Sequence, residues 1–192
     1  MPEPVEPVPI RIEPWADADA FLDLLRRNNA PEMTAHLGGP ETEEQLINRH
    51  KRYLGVAESG TGRMFRIVLD PDGDTVGGVG YWDREWQGQM VYETGWSVFA
   101  EHQGQGIATE ATRLLVARAR SEGMRRYLYA FPPIDNVASN AICRKTGFSL
   151  TDVDEFEYPV GNYMRCNVWR LELADIGPQE ERPLPRGDSG NR

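Results

Sequence analysis

Gln103-Gly104-Gln105-Gly106-Ile107-Ala108 joins amides, glycines and the onset of a helix in one short stretch. The apolar run Val91 to Val98 enters the turn Phe99-Ala100-Glu101-His102. Beyond Gly106 the spacing becomes helical: Ile107, Ala111, Leu114 and Leu115, with Ala108 and Ala119 beside them, share one side. The first turn of a helix leaves backbone N–H groups without intrahelical acceptors, and Ser, Thr, Asp or Asn usually answers one of them. Here Gln and Gly precede the helix, so its positive end is left open. Aligned N–H groups of this kind attract an anion, and glycine lets a bulky phosphate approach the chain. A flexible loop feeding a surface helix is the competing reading. A nucleoside-triphosphate loop needs Lys and Ser/Thr after its last Gly, whereas this chain has Ile107-Ala108-Thr109. A dinucleotide fingerprint needs a third Gly, and Gly77-Gly78-Val79-Gly80 opens no helix.

A second segment lies downstream, Asn136-Val137-Ala138-Ser139-Asn140-Ala141-Ile142-Cys143-Arg144-Lys145-Thr146-Gly147-Phe148. Alone, it reads as a short helix capped by Asp135 or Asn136 and ended by Gly147. Together the two segments resemble the GNAT superfamily of N-acetyltransferases. Its acetyl-CoA loop, Gln/Arg-x-x-Gly-x-Gly/Ala, is matched by Gln103, Gly106 and Ala108. Its later pattern, Asn-x-x-Ser/Ala-x-x-x-(Tyr, Leu or Cys)-x-Lys-x-Gly-Phe, is matched by Asn136, Ser139, Lys145, Gly147 and Phe148. Within the superfamily the chain looks most like the branch containing the ribosomal-protein N-terminal acetyltransferases, over roughly residues 8 to 172.

The resemblance implies acetyl-CoA as cofactor, bound at Gln103, Gly104, Gln105, Gly106, Ile107, Ala108 and Thr109, with Asn136, Ser139 and Lys145 contributing from the second segment. The pantetheine arm would lie against backbone near Trp96, Ser97 and Val98, pairing as an added strand does. Acetyl transfer needs a neutral amine. An alkyl amine titrates near pH 10.4 and a peptide α-amine near about 7.7–8.0, so a carboxylate is wanted to take the proton. Glu93, mid-strand, is the first choice, and an acidic residue on this strand is common in the family. Alternation sets Glu93 opposite Tyr92, Thr94 and Trp96, so an outward-facing strand Glu is the other reading. Glu155 and Glu157 follow as runners-up. Ser139 is the expected hydrogen-bond donor to the departing sulfur, with capping as the alternative for Asn136 and Ser139. Cys143 stands where the family usually has a catalytic Tyr, as a proton donor or as a small core residue. A regulatory acyl-CoA-binding module without catalysis is the non-enzyme alternative. The favoured acceptor is a protein or peptide N-terminal α-amine, ahead of a small amine such as an aminoglycoside. A monomer or homodimer is expected.

These groups need a scaffold. Strands are expected at Ile10–Ile12, Met64–Leu69, Thr75–Trp82, Met90–Val98, Tyr127–Ala130, Phe148–Glu157 and Met164–Leu173, and helices at Asp17–Arg27, from the Thr42-Glu43-Glu44-Gln45 capping box to Val56, at 107–122 and after Asn136. Pro31–Pro40 reads as a loop bordering an acceptor site, and Asp83–Gln89 as a link. That order implies an α/β (mixed α+β) fold, with a largely antiparallel sheet of about seven strands flanked by helices. By resemblance, one parallel strand pair is splayed. The expected organisation is a flexible Pro-rich 1–9, one acetyltransferase domain over 10–173 and a disordered tail over 174–192. The net charge of −9 disfavours nucleic acid and suits a cationic amine. No apolar run reaches membrane-spanning length, the start lacks the features of a secretory signal, and two cysteines make no disulfide scaffold, so a cytoplasmic protein is expected. His36, His50 and His102 form no ligand motif, so no metal is expected. Trp82, Trp86 and Trp96 are sheet-core candidates, or an apolar or cation-binding wall for the acceptor.

Overall fold

The computed structural model describes residues 8–35, 38–157 and 161–173. The expectations for His36, for residues 1–7 of the N-terminal segment and for the tail from 174 lie outside these residues. The chain runs β1 (Ile10–Pro14), α1 (Asp19–Asn28), α2 (Pro31–Thr34), α3 (Glu43–Glu58), β2 (Gly62–Leu69), β3 (Thr75–Trp86) and β4 (Gln89–Val98), then a short 3-10 turn at Ala100–His102. It continues through α4 (Ile107–Glu122), β5 (Tyr127–Ala130), α5 (Val137–Lys145), β6 (Ser149–Glu157) and β7 (Tyr163–Glu172). One seven-stranded sheet has the order β1-β2-β3-β4-β5-β7-β6, antiparallel except where β4 meets β5. This is the mixed fold expected from the element order.

Two expectations change. Pro31–Pro40 begins as the short helix α2, with Pro31 at a first-turn position whose N–H would have no partner anyway. The expected link at Asp83–Gln89 is a tight hairpin instead: Gln87 (φ 50°) and Gly88 (φ 78°) turn the chain, and Trp86 pairs with Gln89. Asp83 and Arg84 are tolerated in this long strand because each meets an opposite charge, Arg125 and Glu93 respectively.

The two faces of the sheet bury different helices. On one, Ile107, Ala111, Leu115 and Ala119 of α4 pack with Tyr81, Tyr92, Leu128 and Trp169. On the other, Phe21, Leu24 and Leu25 of α1 join Leu46 of α3, Trp15 and Met64. The start of α3 carries the expected capping box: the Gln45 N–H donates to Thr42 Oγ1 at 3.3 Å, and the Thr42 N–H donates to Gln45 Oε1 at 2.7 Å.

Buried Asn140 fixes α5 to the sheet. Its Nδ2 donates to the Pro133 and Asn136 carbonyls at 2.9 and 2.8 Å, and its Oδ1 accepts from Trp169 Nε1 at 2.8 Å and Asn167 Nδ2 at 2.7 Å. Asn140→Ala should lower unfolding stability by about 2–4 kcal/mol, because it strands buried donors such as the indole N–H. Urea unfolding with an unchanged slope would measure this. A loss within error would show that water replaces the side chain.

Candidate active site

β4 and β5 separate early. They pair only at Tyr92↔Leu128 and Glu93↔Tyr129, while β3 accompanies β4 along its whole length. From Thr94 onward the β5-facing edge of β4 has no strand beside it among the described residues. A cleft of about 1200 Å³ opens there, lined by Trp96, Ser97 and Val98, by α1 and α2, by the start of α4, and by α5.

The loop before α4 is built as its residues suggest. Gly104 and Gly106 lie at φ 77° and 81°, left-handed conformations that glycine adopts without penalty. Gly106 occupies the cap position of α4, and no side chain among the described residues caps it. The N–H groups of 104–109 form no hydrogen bond to any described residue. Gln103, Gly104, Gly106, Ile107, Ala108 and Thr109 line the cleft. Gln103 also braces the loop, its Nε2 donating to the Val98 carbonyl at 2.9 Å. Gln105 departs from expectation: it is absent from the cleft lining, and its side chain donates to the Glu101 carbonyl at 3.4 Å. A row of free donors beside an open strand edge fits a phosphate-bearing ligand with an amide-containing arm, so these residues suit coenzyme A.

Asn136 caps α5, its Oδ1 accepting the Ser139 N–H at 3.0 Å. The Ser139 hydroxyl makes no hydrogen bond to described residues and lines the cleft, as do Asn136 and Lys145. Cys143 corrects an expectation. Its side chain is fully buried in the core with Phe148 and Ile107, not in the cleft, and burial pushes its thiol up to about 12. A thiol so placed neither reaches a ligand nor releases its proton near neutrality.

On the opposite face of β4 from Tyr92, Glu93 points into the cleft rather than outward, its side chain 20% exposed. Its Oε2 accepts from Arg84 Nη1 at 2.6 Å. The Arg84 guanidinium lies 4.6 Å from the Phe131 ring centroid, 5.2 Å from Phe156 and 5.6 Å from Trp86. Glu157 lines the cleft and accepts the Gly161 N–H at 2.7 Å, whereas Glu155 is exposed outside it. Trp82 and Trp96 line the cleft and Trp86 backs it. His102 is half-buried and lines the cleft. His50 is buried elsewhere, its Nδ1 accepting from Trp15 Nε1 at 3.0 Å. Among the described residues no group of three His, Cys, Asp or Glu could hold a metal ion.

Sequence reasoning missed Asn28 and Arg84. Asn28 Nδ2 donates to Ser97 Oγ at 2.7 Å, and its buried Oδ1 has no partner among the described residues. Neither residue belongs to a local pattern; each reaches the cleft through long-range packing.

The fold recurs among solved acetyltransferases. RimL, a ribosomal L7/L12 α-N-protein acetyltransferase in complex with coenzyme A, is 21% identical, with a TM-score of 0.70 over 88% of this chain and 96% of its own. The ribosomal-protein-S5-alanine acetyltransferase of Vibrio fischeri is 18% identical, with a TM-score of 0.70 over 88% and 94%. YncA of Salmonella typhimurium, solved with its cofactor acetyl-CoA, is 20% identical, with a TM-score of 0.71 over 90% and 98%. No curated protein sequence matches significantly. The family model of the acetyltransferase (GNAT) domain matches residues 10–149, a span that takes in the splayed strands, the open start of α4 and all of α5. The chain therefore belongs to the GNAT acetyltransferase family.

Proposed function

We propose that this protein acetylates the N-terminal α-amine of a protein or peptide, with acetyl-CoA as donor and both substrates bound together. The observation that carries the reading is one cleft holding both the uncapped start of α4 and Glu93. The α-amine preference draws on the relatives, two of which are described as acetyltransferases of ribosomal proteins. Its chemistry suits the site, since an α-amine titrates near about 7.7–8.0 and is partly neutral at pH 7.

In this reading the N–H groups of 104–109 hold the phosphates, and the free edge of Trp96–Val98 hydrogen-bonds the pantetheine amides. Asn136 orders the same arm beside Ser139. Acetyl-CoA supplies a thioester carbonyl as the electrophile. Glu93 takes a proton from the acceptor ammonium, directly or through water, leaving the nitrogen lone pair free. As the N–C bond forms and the C–S bond breaks, the electron pair departs on sulfur and the nitrogen releases its second proton to solvent water. The Ser139 hydroxyl donates a hydrogen bond to that sulfur, which then takes up a proton from water. The products are an N-acetyl amide and free thiol, and Glu93 returns its proton to solvent. Neither Cys143 nor Glu155 has a part, since neither lines the cleft.

Thiol release with a panel of peptides and free amines tests the reading. Peptides with a free α-amine should turn over, lose turnover when that amine is blocked, and keep it when lysine is blocked. The reverse pattern would move the assignment to side-chain or small-molecule amines. No thiol release above background from any amine, with acetyl-CoA still bound, would leave a regulatory acyl-CoA-binding module.

A further inference from the structure

We propose that Arg84 is a specificity-determining residue: its guanidinium reads a carbonyl or carboxylate oxygen borne on the carbon adjoining the one that carries the acceptor's amine. This rests on the placement of the acceptor amine at Glu93. The two side chains are diagonal neighbours on one face of the sheet, since Arg84 pairs with Val91 and Glu93 with Trp82. Arg84 Nη1 donates to Glu93 Oε2, and no other hydrogen bond of this guanidinium forms among the described residues. A guanidinium carries five N–H donors in a planar fork, so most of them are unspent. The side chain is 30% exposed and lines the cleft.

That fork is held in place. Phe131, Phe156 and Trp86 surround the guanidinium at 4.6, 5.2 and 5.6 Å. The rings also brace each other, with centroids 4.9 Å apart for Trp86–Phe131 and for Phe131–Phe156. Stacking on aromatic faces fixes the plane of a guanidinium, so little freedom is lost when it binds an oxygen. Glu93 Oε1 likewise has no hydrogen-bond partner among the described residues. One wall of the cleft therefore presents a carboxylate oxygen and a cationic donor fork side by side, both with unused capacity.

The complement of such a pair is a molecule with a basic nitrogen and an oxygen acceptor on adjoining carbons. An α-amino acid has this through its carboxylate, and a peptide N-terminus through its first carbonyl. A polyamine places another cation where Arg84 stands, and an aminoglycoside offers the fork only neutral hydroxyl oxygens in place of a carbonyl or carboxylate. If Arg84 served only to hold Glu93, its aromatic enclosure and spare donors would add nothing to discrimination between amines.

The test compares leucinamide, leucine and 3-methylbutylamine, which share an amine and a side chain but differ in the adjacent group. Thiol release gives kcat/KM for each, with wild type, Arg84→Met, Arg84→Lys and Glu93→Gln. Taking each ratio to 3-methylbutylamine and comparing it between proteins cancels intrinsic amine reactivity. The preference for the better α-amino compound should fall at least about tenfold in Arg84→Met, through KM, as loss of a charge-assisted hydrogen bond predicts. Arg84→Lys keeps the charge but lacks the planar fork, and its preference should fall as well. Circular dichroism and the acetyl-CoA Kd should stay as in wild type for at least one of the two variants. A higher rate with leucine would identify a free amino acid as acceptor, and a higher rate with leucinamide a peptide terminus. An unchanged preference in both variants, or wild-type protein that turns over neither α-amino compound, would overturn the proposal. Glu93→Gln separates the two readings: undiminished turnover there would refute the general base while the Arg84 ratios still report on recognition.

Discussion

Gly106→Trp is expected to weaken acetyl-CoA binding at least about a hundredfold, or about 2.7 kcal/mol. Gly106 sits at φ 81° at the mouth of α4, and a Cβ built there meets no atom within 4 Å. An indole at this point stands in open space beside the row of unpaired N–H groups, where a phosphate must approach. The substitution also forces a side chain into the left-handed region, at a cost of about 1–2 kcal/mol. The two effects separate with a control. Gly88 has φ 78°, equally empty surroundings, and a place in the β3–β4 turn rather than the cleft. Gly88→Trp should destabilise folding to a similar degree and leave the Kd from calorimetry unchanged. Wild-type affinity in Gly106→Trp would remove the start of α4 as the phosphate site.

Features set by short-range spacing were the legible ones. The uncapped start of α4 follows from Gln and Gly where a capping residue would stand, and the capping box of α3 from Thr42 and Gln45. Cys143 shows the limit of motif spacing. Asn140 and Cys143 are the buried residues of α5, three apart, whereas Ser139, Ile142 and Lys145 recur along the cleft side. Helical phase thus turns Cys143 inward, a sign that the flanking apolar positions already carried. The Asp83–Gln89 stretch misled because its charges resemble a solvated loop, and their neutralising partners Arg125 and Glu93 lie elsewhere in the chain. Arg84 was illegible for the same reason. Its enclosure takes Trp86 from β3, Phe131 from beyond β5 and Phe156 from β6, a juxtaposition that only the sheet order creates.

Glu93→Gln should lower kcat at pH 7 by about tenfold for an α-amine and by about 10³-fold for an alkyl amine, the inverse of each free-amine fraction, while the acetyl-CoA Kd stays as in wild type. Glutamine keeps the shape of the side chain and an oxygen able to accept from Arg84, so loss of proton acceptance is the principal change. The nucleophile is the neutral amine, and below the acceptor's pKa most of it is ammonium. Wild-type protein can strip that proton inside the cleft. The variant must wait for amine already neutral in solution, and its rate should climb with the free-amine fraction. Its deficit should therefore be greatest at low pH and shrink as pH rises past about 8 for an α-amine. The same comparison with an alkyl amine should move the point of convergence up toward about pH 10.4. A deficit independent of both pH and acceptor pKa would instead make Glu93 a positioning residue. An undiminished kcat would shift proton acceptance to Glu157, the runner-up carboxylate that also lines the cleft, or to water. Glu157→Gln, measured against the same two acceptors, decides between them: convergence at the acceptor pKa in that variant assigns the proton to Glu157, and a wild-type profile leaves it with water.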